Sequence, residues 1–396
     1  MKYKILSIII IIFSLSANAQ SKLYCNREVK VGAEKMELYL DLLTNKKVGI
    51  VGNQSSKVGE THLVDSLLAL KVDVKKVFSP EHGFRGKADA GEKVKSGMDS
   101  KTGLQVVSLY GSNKKPKPQQ MEGLDVLIFD IQDVGARFYT YISTLHYVME
   151  ACAENNIELI ILDRPNPNGH YVDGPILDLK YKSFIGMHTI PIVHGMTIGE
   201  YANMIYGENW VKAEGLKFKV INCEGWDHSK FYKLNIKPSP NLPNMTSIYL
   251  YPSLCLFEGT VVSVGRGTEY PFQIAGHPKF KGDSYGFIPE PTGGAKNPKL
   301  KGEHCKGIYL PVIGINVLQQ QNELQLRWLI DFYKDLNMKE GFFLKNNFIN
   351  LLAGSDQLKN QIMSGKTEAE IRSTWANGLT EFKTIRKKYL LYTDFE

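Results

Sequence analysis

The chain has 396 residues, of which 43% are hydrophobic and 22% are charged. Both fractions are near the averages of globular proteins, which excludes disordered and fibrous classes, and the length predicts two packed domains. The formal net charge is +7 and the basic residues are spread along the sequence, which argues against a nucleic-acid-binding surface.

The N-terminus has the three parts of a secretory signal peptide. Met1–Lys4 is basic, residues 5–15 are almost entirely apolar, and Ala17–Ala19 is a small-residue cleavage site. We therefore expect residues 1–19 to be removed and the mature protein to be exported to the periplasm or the extracellular space. No later apolar run reaches the roughly 18 residues of a membrane span, so no stable membrane insertion is expected.

Four short apolar runs predict the strands of a parallel sheet. They are Lys47–Gly52, Val74–Phe78, Asp125–Phe129 and Glu158–Leu162. These runs do not alternate with polar residues, as is typical of strands buried on both faces. With the amphipathic segments 61–70 and 140–155 between them, they predict an α/β fold: a Rossmann-like, doubly wound parallel sheet over residues 27–250. Residues 251–396 are expected to form a smaller α+β C-terminal domain that closes the active-site cleft.

A polar cluster follows each of the last three predicted strands. The clusters are SPEHGFRG at 79–86, DIQDVGARFY at 130–139 and DRPNPNG at 163–169. Because ligands bind outside the carboxyl ends of the strands in open parallel sheets, we expect the three clusters to converge. A single acid at such a position is commonly a helix cap, but each cluster also has a basic residue near its acid.

Several ligand classes lack their motifs. The first strand ends in GNQSS, without the G-x-G-x-x-G spacing of a dinucleotide site, and neither a Walker lysine loop nor a G-x-S-x-G elbow occurs. Glu81, His82, Asp130, Asp163 and His194 have the side chains of metal ligands, but not in H-E-x-x-H or H-x-H spacing. We therefore expect no cofactor and no catalytic metal.

A pair of carboxylates explains more of the pattern. Hydrolysis of a glycosidic bond needs a protonated acid beside the leaving oxygen and an ionised group that assists attack or stabilises an oxocarbenium ion. Glu81, flanked by Pro80 and Phe84, is the candidate acid, because apolar neighbours favour the protonated form. Asp130 or Asp133 is the candidate for the second group.

Six motifs occur in an order that is typical of one family. They are SPEHGFRG, FDIQDVGARFYTYI, LDRPNPNG, HGMTIGE, PSPNLP, and EGT followed by GRGTEYPF. From about Leu42 to the C-terminal RKKYLLY, the chain resembles the exported bacterial exo-β-N-acetylmuramidases of the NamZ type. The resemblance implies release of N-acetylmuramic acid (MurNAc) from the non-reducing end of peptidoglycan fragments such as MurNAc-GlcNAc. It also implies an active site between the two domains, with Glu81 of the PEHG motif as a catalytic residue.

The implied substrate predicts a basic pocket. MurNAc carries a lactyl carboxylate, which the planar fork of an arginine binds in bidentate fashion. The candidate arginines are Arg85, Arg137, Arg164 and Arg266, and each is equally well explained as the ion-pair partner of a neighbouring acid. The other residues expected to contact substrate are His82, Tyr139, Asp163, Asn166, His194, Asn241, Glu258 and Glu269. A peptidoglycan-derived saccharide is the expected partner, and the oligomeric state is left open.

The motif HGMTIGE, at 194–200, is predicted to lead into a helix. Thr197 can cap that helix, and Glu200 completes a capping box three residues later. His194 precedes the cap, so it either packs beside the helix or faces the cleft.

Two other functions stay open at this point. A non-catalytic peptidoglycan- or sugar-binding protein would bind without turnover, and a metal-dependent periplasmic hydrolase would lose activity on chelation. A glycosidase that uses two carboxylates would be indifferent to chelators.

Overall fold

The computed structural model describes residues 24–25, 29–81, 83–85, 96–282 and 284–396. Its strands are β1 (Val48–Gly52), β2 (Lys57–Val58), β3 (Thr61–His62), β4 (Val74–Ser79), β5 (Gly97–Met98), β6 (Gln105–Ser108), β7 (Val126–Asp130), β8 (Glu158–Leu162), β9 (Phe218–Ile221), β10 (Ile274–His277), β11 (Tyr285–Phe287) and β12 (Cys305–Tyr309). Its α-helices are α1 (Leu63–Ala69), α2 (Pro118–Met121), α3 (Tyr141–Glu154), α4 (Ile198–Gly207), α5 (Met245–Leu254), α6 (Ile315–Gln320), α7 (Arg327–Leu336), α8 (Phe348–Ala353), α9 (Gln357–Met363), α10 (Glu368–Ser373) and α11 (Ala376–Lys387). The predicted signal peptide, 1–19, and the candidate site residue His82 lie outside the described residues. Within the described ranges, no helix combines the length and apolarity needed to cross a bilayer.

The central sheet has seven strands in the order β5-β6-β4-β1-β7-β8-β9. All neighbouring pairs are parallel except β5 with β6 at one edge. The chain therefore proceeds outward from β1 in one direction and then returns to continue from β7 in the other, which is the doubly wound order of a Rossmann-like fold. This topology confirms the predicted fold class. Strands β6 and β9, which the sequence did not predict, are short and partly exposed.

Alternate side chains of the central strands pack into two different clusters. Val51 and Phe129 belong to the cluster that contains the buried residues of α3 and α4. Ile50 and Ile128 belong to the cluster on the other face, which contains the buried residues of α1. Both faces of these strands are thus covered, which explains why their sequences are apolar throughout.

The C-terminal domain contains a three-stranded antiparallel sheet, β10-β12-β11, together with helices α6 to α11. It is the smaller mixed domain that the sequence predicted. Its Phe257 and Phe332 belong to the same apolar cluster as Phe129 of the central sheet, so the two domains share one continuous core. This shared core favours a fixed arrangement of the walls between them.

The end of the chain returns to the N-terminal domain. Arg386 donates from Nε and Nη2 to the carbonyl oxygen of Gly195, at 3.0 and 2.8 Å. The Tyr392 hydroxyl donates to Asp163 Oδ2 at 2.6 Å. The C-terminal segment therefore forms hydrogen bonds with the first domain although it follows the second in the chain. The sequence did not predict these contacts.

Candidate active-site cleft

A cleft of about 760 Å³ lies between the two domains. On the N-terminal side it is lined by Glu81, which follows β4, by Tyr110, which follows β6, and by Thr140, just before α3. On the C-terminal side it is lined by Glu258 and Arg266. Side chains that follow two parallel strands thus meet charged side chains of the other domain, as expected for a ligand site at the carboxyl edge of an open sheet.

A smaller recess of about 70 Å³ adjoins the cleft. Its lining includes Tyr139 and Asn241, two residues that the sequence assigned to substrate binding. The cleft and the recess share Glu81, Phe138, Thr140, Tyr251 and Arg266. They therefore form one site, with Glu81 and Arg266 at the place where the two spaces meet.

Glu81 enters the cleft from the turn that ends β4. Gly83 has φ 78° and donates from N to the carbonyl oxygen of Pro80 at 3.2 Å, which closes this turn. Thr140 Oγ1 donates to Glu81 Oε2 at 3.4 Å, and the Tyr110 hydroxyl is also hydrogen-bonded to Glu81. Burial and the Glu81 carboxylate raise the pKa of Tyr110 to about 12, so this hydroxyl remains a donor at neutral pH.

Phe84 was predicted to be an apolar neighbour of Glu81, and Arg85 to bind the lactyl carboxylate. In the structure both side chains make their contacts outside the cleft. Phe84 is buried, with the Arg85 guanidinium carbon 4.6 Å from its ring centroid. Arg85 Nη2 lies 2.8 Å from Asp99 Oδ2 and 3.4 Å from Asp65 Oδ1. The hydrogen bond from Arg85 lowers the pKa of Asp99 to about 2. Arg85 is therefore an ion-pair partner, and it is not among the described residues that line the cleft.

Asp130 and Arg164 form a buried ion pair at the ends of β7 and β8. Arg164 donates from Nε to Asp130 Oδ1 at 2.6 Å and from Nη2 to Asp130 Oδ2 at 3.0 Å. Nη2 also donates to the carbonyl oxygen of Lys57 at 2.9 Å. Asp130 has no exposed surface, and burial raises its pKa. Neither residue lines the cleft. Each neutralises the other inside the domain, which does not favour the catalytic role predicted for Asp130 or the substrate contact predicted for Arg164.

Asp133 and His194 are also buried away from the cleft. Asp133 Oδ2 accepts a hydrogen bond from the backbone N of Gly135 at 2.6 Å, and burial raises the pKa of Asp133 to about 7. His194 Nε2 lies 3.8 Å from Asp133 Oδ2, and burial lowers the pKa of His194 to about 3. Of the two places left open for His194, the structure therefore shows packing beside the helix.

Arg137 joins the two domains through backbone oxygens. It donates from Nη1 to the carbonyl oxygens of Pro175 and Ile190, at 2.8 and 2.6 Å. From Nη2 it donates at 2.9 Å to the carbonyl oxygen of Leu352, in α8. Arg137 is completely buried and does not line the cleft, and both of its Nη atoms donate to backbone oxygens; this arrangement does not favour its predicted contact with substrate.

Asp163 and Asn166, which follow β8, form hydrogen bonds to the segment at the start of α4. Asp163 accepts from Thr197 Oγ1 at 2.7 Å and from the backbone N of Gly199 at 2.8 Å, at the start of α4. Asn166 Nδ2 donates to the carbonyl oxygen of Met196 at 2.9 Å. Both side chains are buried and neither lines the cleft, which does not favour their predicted contact with substrate. Among the described residues, no three His, Cys, Asp or Glu side chains are grouped as metal ligands.

The cap of α4 is as predicted. The Thr197 side chain accepts from the backbone N of Glu200, and the Glu200 side chain accepts from the backbone N of Thr197. This reciprocal capping box satisfies two of the backbone donors at the helix start.

Arg266 and Glu258 face the cleft from the C-terminal domain. Arg266 Nε donates to Glu258 Oε1 at 3.2 Å, and its guanidinium carbon lies 4.8 Å from the ring centroid of Phe272. Within the described residues, no hydrogen bond is recorded for Nη1 or Nη2 of Arg266. The outer face of its guanidinium is therefore available to a ligand, unlike that of Arg137.

Asn241 and Glu269 have different places. Asn241 Nδ2 donates to the carbonyl oxygen of Gly294 at 2.6 Å, a bridge from the N-terminal domain to a loop of the C-terminal domain. Its Oδ1 forms no hydrogen bond within the described residues and remains an acceptor for a ligand. Glu269 is exposed and does not line the cleft, so its predicted contact with substrate is not found.

The sequence missed several residues that line the cleft. These are Tyr110, Phe184, Tyr251, Lys296 and Lys299. The two lysines come from a Gly- and Pro-rich stretch that gave no helix or strand pattern. The only sequence feature that could have indicated them is the presence of basic residues in this Gly- and Pro-rich stretch. Such stretches are usually exposed turns, so the feature does not indicate a binding site.

Comparison with known proteins decides the family. The chain matches the family model for the N-terminal part of exo-β-N-acetylmuramidase NamZ over residues 48–246, and the model for its C-terminal part over residues 249–392. The chain belongs to the NamZ family. The peptidoglycan β-N-acetylmuramidase NamZ of Bacillus subtilis (strain 168) is 36% identical to it in an alignment of 373 residues that covers 89% of this chain and 89% of the other.

Solved structures of the same fold support this family assignment. A DUF1343 family protein from Bacteroides fragilis NCTC 9343 superposes with a TM-score of 0.86 at 48% identity, over 92% of this chain and 99% of the other. A second DUF1343 family protein from that organism gives a TM-score of 0.80 at 28% identity, with the same coverage. The resemblance to the NamZ family that the six sequence motifs indicated is thus confirmed, and it extends over both domains.

Proposed function

We propose that this protein is an exo-acting glycosidase that releases MurNAc from the non-reducing end of peptidoglycan fragments such as MurNAc-GlcNAc. The names of its family models and of its B. subtilis relative support this activity. The observation that carries the proposal is the cleft, which Glu81 lines from one domain and Arg266 from the other. A carboxyl group for acid catalysis and a cation for an acidic sugar are thereby placed in one site.

Glu81 is the proposed general acid. Its carboxyl lines both the cleft and the recess, and the hydroxyls of Thr140 and Tyr110 hold it there. A group fixed at the junction of the two spaces can reach the oxygen that links the terminal sugar to the next one. General acid catalysis of this kind typically contributes a factor of about 10² to 10⁴ to the rate.

Glu258 is the proposed second carboxylate. It lines the cleft and forms an ion pair with Arg266 there, and a carboxylate in the cleft can stabilise an oxocarbenium ion. The sequence predicted Asp130 or Asp133 for this role. Both of them are buried away from the cleft, so we assign them to the support of the sheet edge.

The recess suits the acetamido group of the sugar. Its volume of about 70 Å³ is far smaller than the 760 Å³ of the cleft, so we assign the sugar ring to the cleft and a substituent of that ring to the recess. Asn241 Oδ1 offers an acceptor for the acetamido N–H, and the rings of Tyr139 and Phe272 line the same space. The Tyr139 hydroxyl already donates to the carbonyl oxygen of Pro238 at 2.8 Å, so its ring is the part available for contact.

Arg266 is the proposed reader of the lactyl carboxylate. Of the four candidate arginines, it is the one that lines the cleft. We expect Arg266→Ala to raise KM for a chromogenic β-N-acetylmuramide by about 10-fold to 100-fold, because a hydrogen bond to a charged group contributes roughly 1.5–3 kcal/mol. The matched glucosaminide, which lacks the lactyl group, serves as the control. An equal change in KM for both sugars would contradict this role.

The sequence supports export of the protein. We propose that residues 1–19 direct it across the inner membrane and are then removed, so that the enzyme works in the periplasm or outside the cell. Peptidoglycan lies in that compartment, which places substrate and enzyme together. Mass determination of the secreted protein tests this: an N-terminus at or near residue 20 agrees, and retention of residue 1 contradicts it.

The proposed activity is tested by hydrolysis. Purified mature protein should release the chromophore from a β-N-acetylmuramide, with and without a chelator, at the same rate. The matching β-N-acetylglucosaminide should react far more slowly. Equal rates on the two sugars, or no release from the muramide and from MurNAc-GlcNAc by folded protein, would contradict the proposal.

A further inference from the structure

The side chain of Lys299 ends among four backbone carbonyl oxygens. Its Nζ lies 3.2 Å from the oxygen of Phe257, 3.4 Å from that of Glu258, 2.6 Å from that of Thr260 and 3.1 Å from that of Val262. An ammonium group has three N–H donors, so the four oxygens share them. Few surface lysines gather this many fixed acceptors, because a lysine head group normally remains in water.

The four oxygens belong to one segment of the cleft wall. The 3-10 helix Cys255–Gly259 ends here, and the chain continues through Thr260 to Val262. The last carbonyls of a helix lack partners within it and carry partial negative charge, so a cation at this end is stabilising. Lys299 thus closes the helix end and holds the residues after it in a single arrangement.

This segment determines where Arg266 lies. Glu258 is part of the helix that Lys299 closes, and its Oε1 accepts from Arg266 Nε at 3.2 Å. Lys299 lies five residues after Gly294, whose carbonyl oxygen accepts from Asn241 in the recess. The four contacts of the Lys299 ammonium are all with the C-terminal wall of the cleft, in the segment that contains Glu258.

We propose that Lys299 is a positioning residue for substrate recognition, which fixes the backbone around Glu258 and thereby orients Arg266 toward the lactyl carboxylate. The inference rests on the proposed role of Arg266. It assigns to Lys299 an effect on the binding of the acidic sugar, transmitted through Glu258, and no contact with the reacting atoms.

The test is a double-mutant cycle with Lys299→Met and Arg266→Ala, measured as KM and kcat on the chromogenic β-N-acetylmuramide. Lys299→Met keeps the length of the side chain and removes its donors. We expect it to raise KM about 10-fold, a rise that adds little when Arg266 is already Ala. We also expect it to lower kcat, because the same backbone carries Glu258, the proposed second carboxylate. Lys301→Met, an exposed lysine two residues further on, is the control and should leave both constants unchanged.

Three outcomes would overturn the inference, and one of them also bears on the proposed function. Additive effects of the two substitutions on KM would mean that Lys299 acts independently of Arg266, while the role of Arg266 survives. An unchanged KM in Lys299→Met would likewise contradict Lys299 alone. If Arg266→Ala leaves KM unchanged, both the carboxylate-reading role and the route from Lys299 through Arg266 are wrong.

A second variant covers the case in which Lys299→Met fails to fold. Lys299→Gln is neutral but retains two N–H donors, so it disturbs the helix end less. We expect a smaller rise in KM that again disappears in the Arg266→Ala background. Retention of that rise in the double variant would contradict the inference.

Discussion

The turn after β4 and the loops after β7 and β8 lie at the same edge of the sheet and have similar polar residues, yet they differ in what those residues contact. Glu81, after β4, opens into the cleft and is held by hydroxyl groups. Asp130 and Asp163, from the end of β7 and just after β8, are completely buried and accept hydrogen bonds from within the protein. The same kind of sequence signal thus precedes a side chain that lines the cleft at one strand end and buried, supporting side chains at the other two.

The difference shows what decides the role of a strand-end acid. The topology places each strand-end acid at the carboxyl edge of the sheet. Whether a ligand can reach that acid depends on its burial and on the side chains that are already bonded to it. Asp130 has a bidentate arginine partner and is completely buried, whereas Glu81 lines the cleft. Removing partners at the buried ends should therefore reduce stability, and removing side chains in the cleft should reduce turnover or binding.

The largest expected loss of stability is at the buried ion pair. Arg164→Met leaves the Asp130 carboxylate buried without its partner, which we expect to lower the free energy of unfolding by about 3–5 kcal/mol. Urea unfolding of purified protein measures it. Arg327→Met is the matched control, because the ion pair of Arg327 with Asp331 is exposed and such pairs contribute at most about 1 kcal/mol. Equal losses in the two variants would contradict a supporting role for Asp130.

The next effect concerns pH and Asp133. Burial raises the pKa of Asp133 in the folded protein from its ordinary value of 3.8 to about 7, so between these two pH values the folded state holds a proton that the unfolded state has released. Stability from this group is therefore present at low pH and is lost as pH rises through about 7, by about 2 kcal/mol between pH 5 and 7.5.

Asp133→Asn removes that titration and keeps an acceptor for the backbone N of Gly135. Urea midpoints at pH 5 and 7.5 should therefore fall less with rising pH in the variant than in the parent protein. All other titrating groups are common to both proteins and cancel in this comparison. Parallel pH dependences would show that Asp133 is not a buried, protonated carboxyl.

The smallest effect is expected at Arg85. Its ion pair with Asp99 is partly exposed, with 27% of the Arg85 side chain accessible, so we expect Arg85→Met to cost about 1 kcal/mol or less. KM for the muramide should not change, because Arg85 does not line the cleft. A selective rise in KM for the muramide over the glucosaminide would restore Arg85 as a reader of the lactyl group.

Much of the fold could be predicted because it depends on local patterns. The runs at β1, β4, β7 and β8 are largely apolar, as is typical of strands that are buried on both faces of a sheet. Strands β6 and β9 were missed because they are short and partly exposed, so their side chains do not form such a run. The return of Tyr392 to the first domain is a long-range contact that no local pattern encodes.

The site was predicted less completely, for a related reason. Glu81 was found because its motif is specific to the family and follows a clear strand. Arg266 could not be separated from Arg137 by sequence, since both are arginines beside glycines and polar residues. Only the packing shows that Arg137 is buried outside the cleft, with both Nη atoms donating to backbone oxygens. Lys299 was missed because its carbonyl partners come from a segment about 40 residues earlier in the chain.

The most direct test compares Glu81→Gln with Asp130→Asn, by kcat on the chromogenic β-N-acetylmuramide and by urea unfolding of the same samples. We predict that Glu81→Gln lowers kcat by about 10² to 10⁴ with an unchanged unfolding midpoint. Asp130→Asn should lower the midpoint, while kcat of the folded fraction stays within threefold of the parent. Retained turnover in Glu81→Gln, or loss of turnover without loss of stability in Asp130→Asn, would contradict the division between a catalytic cleft and a supporting sheet edge.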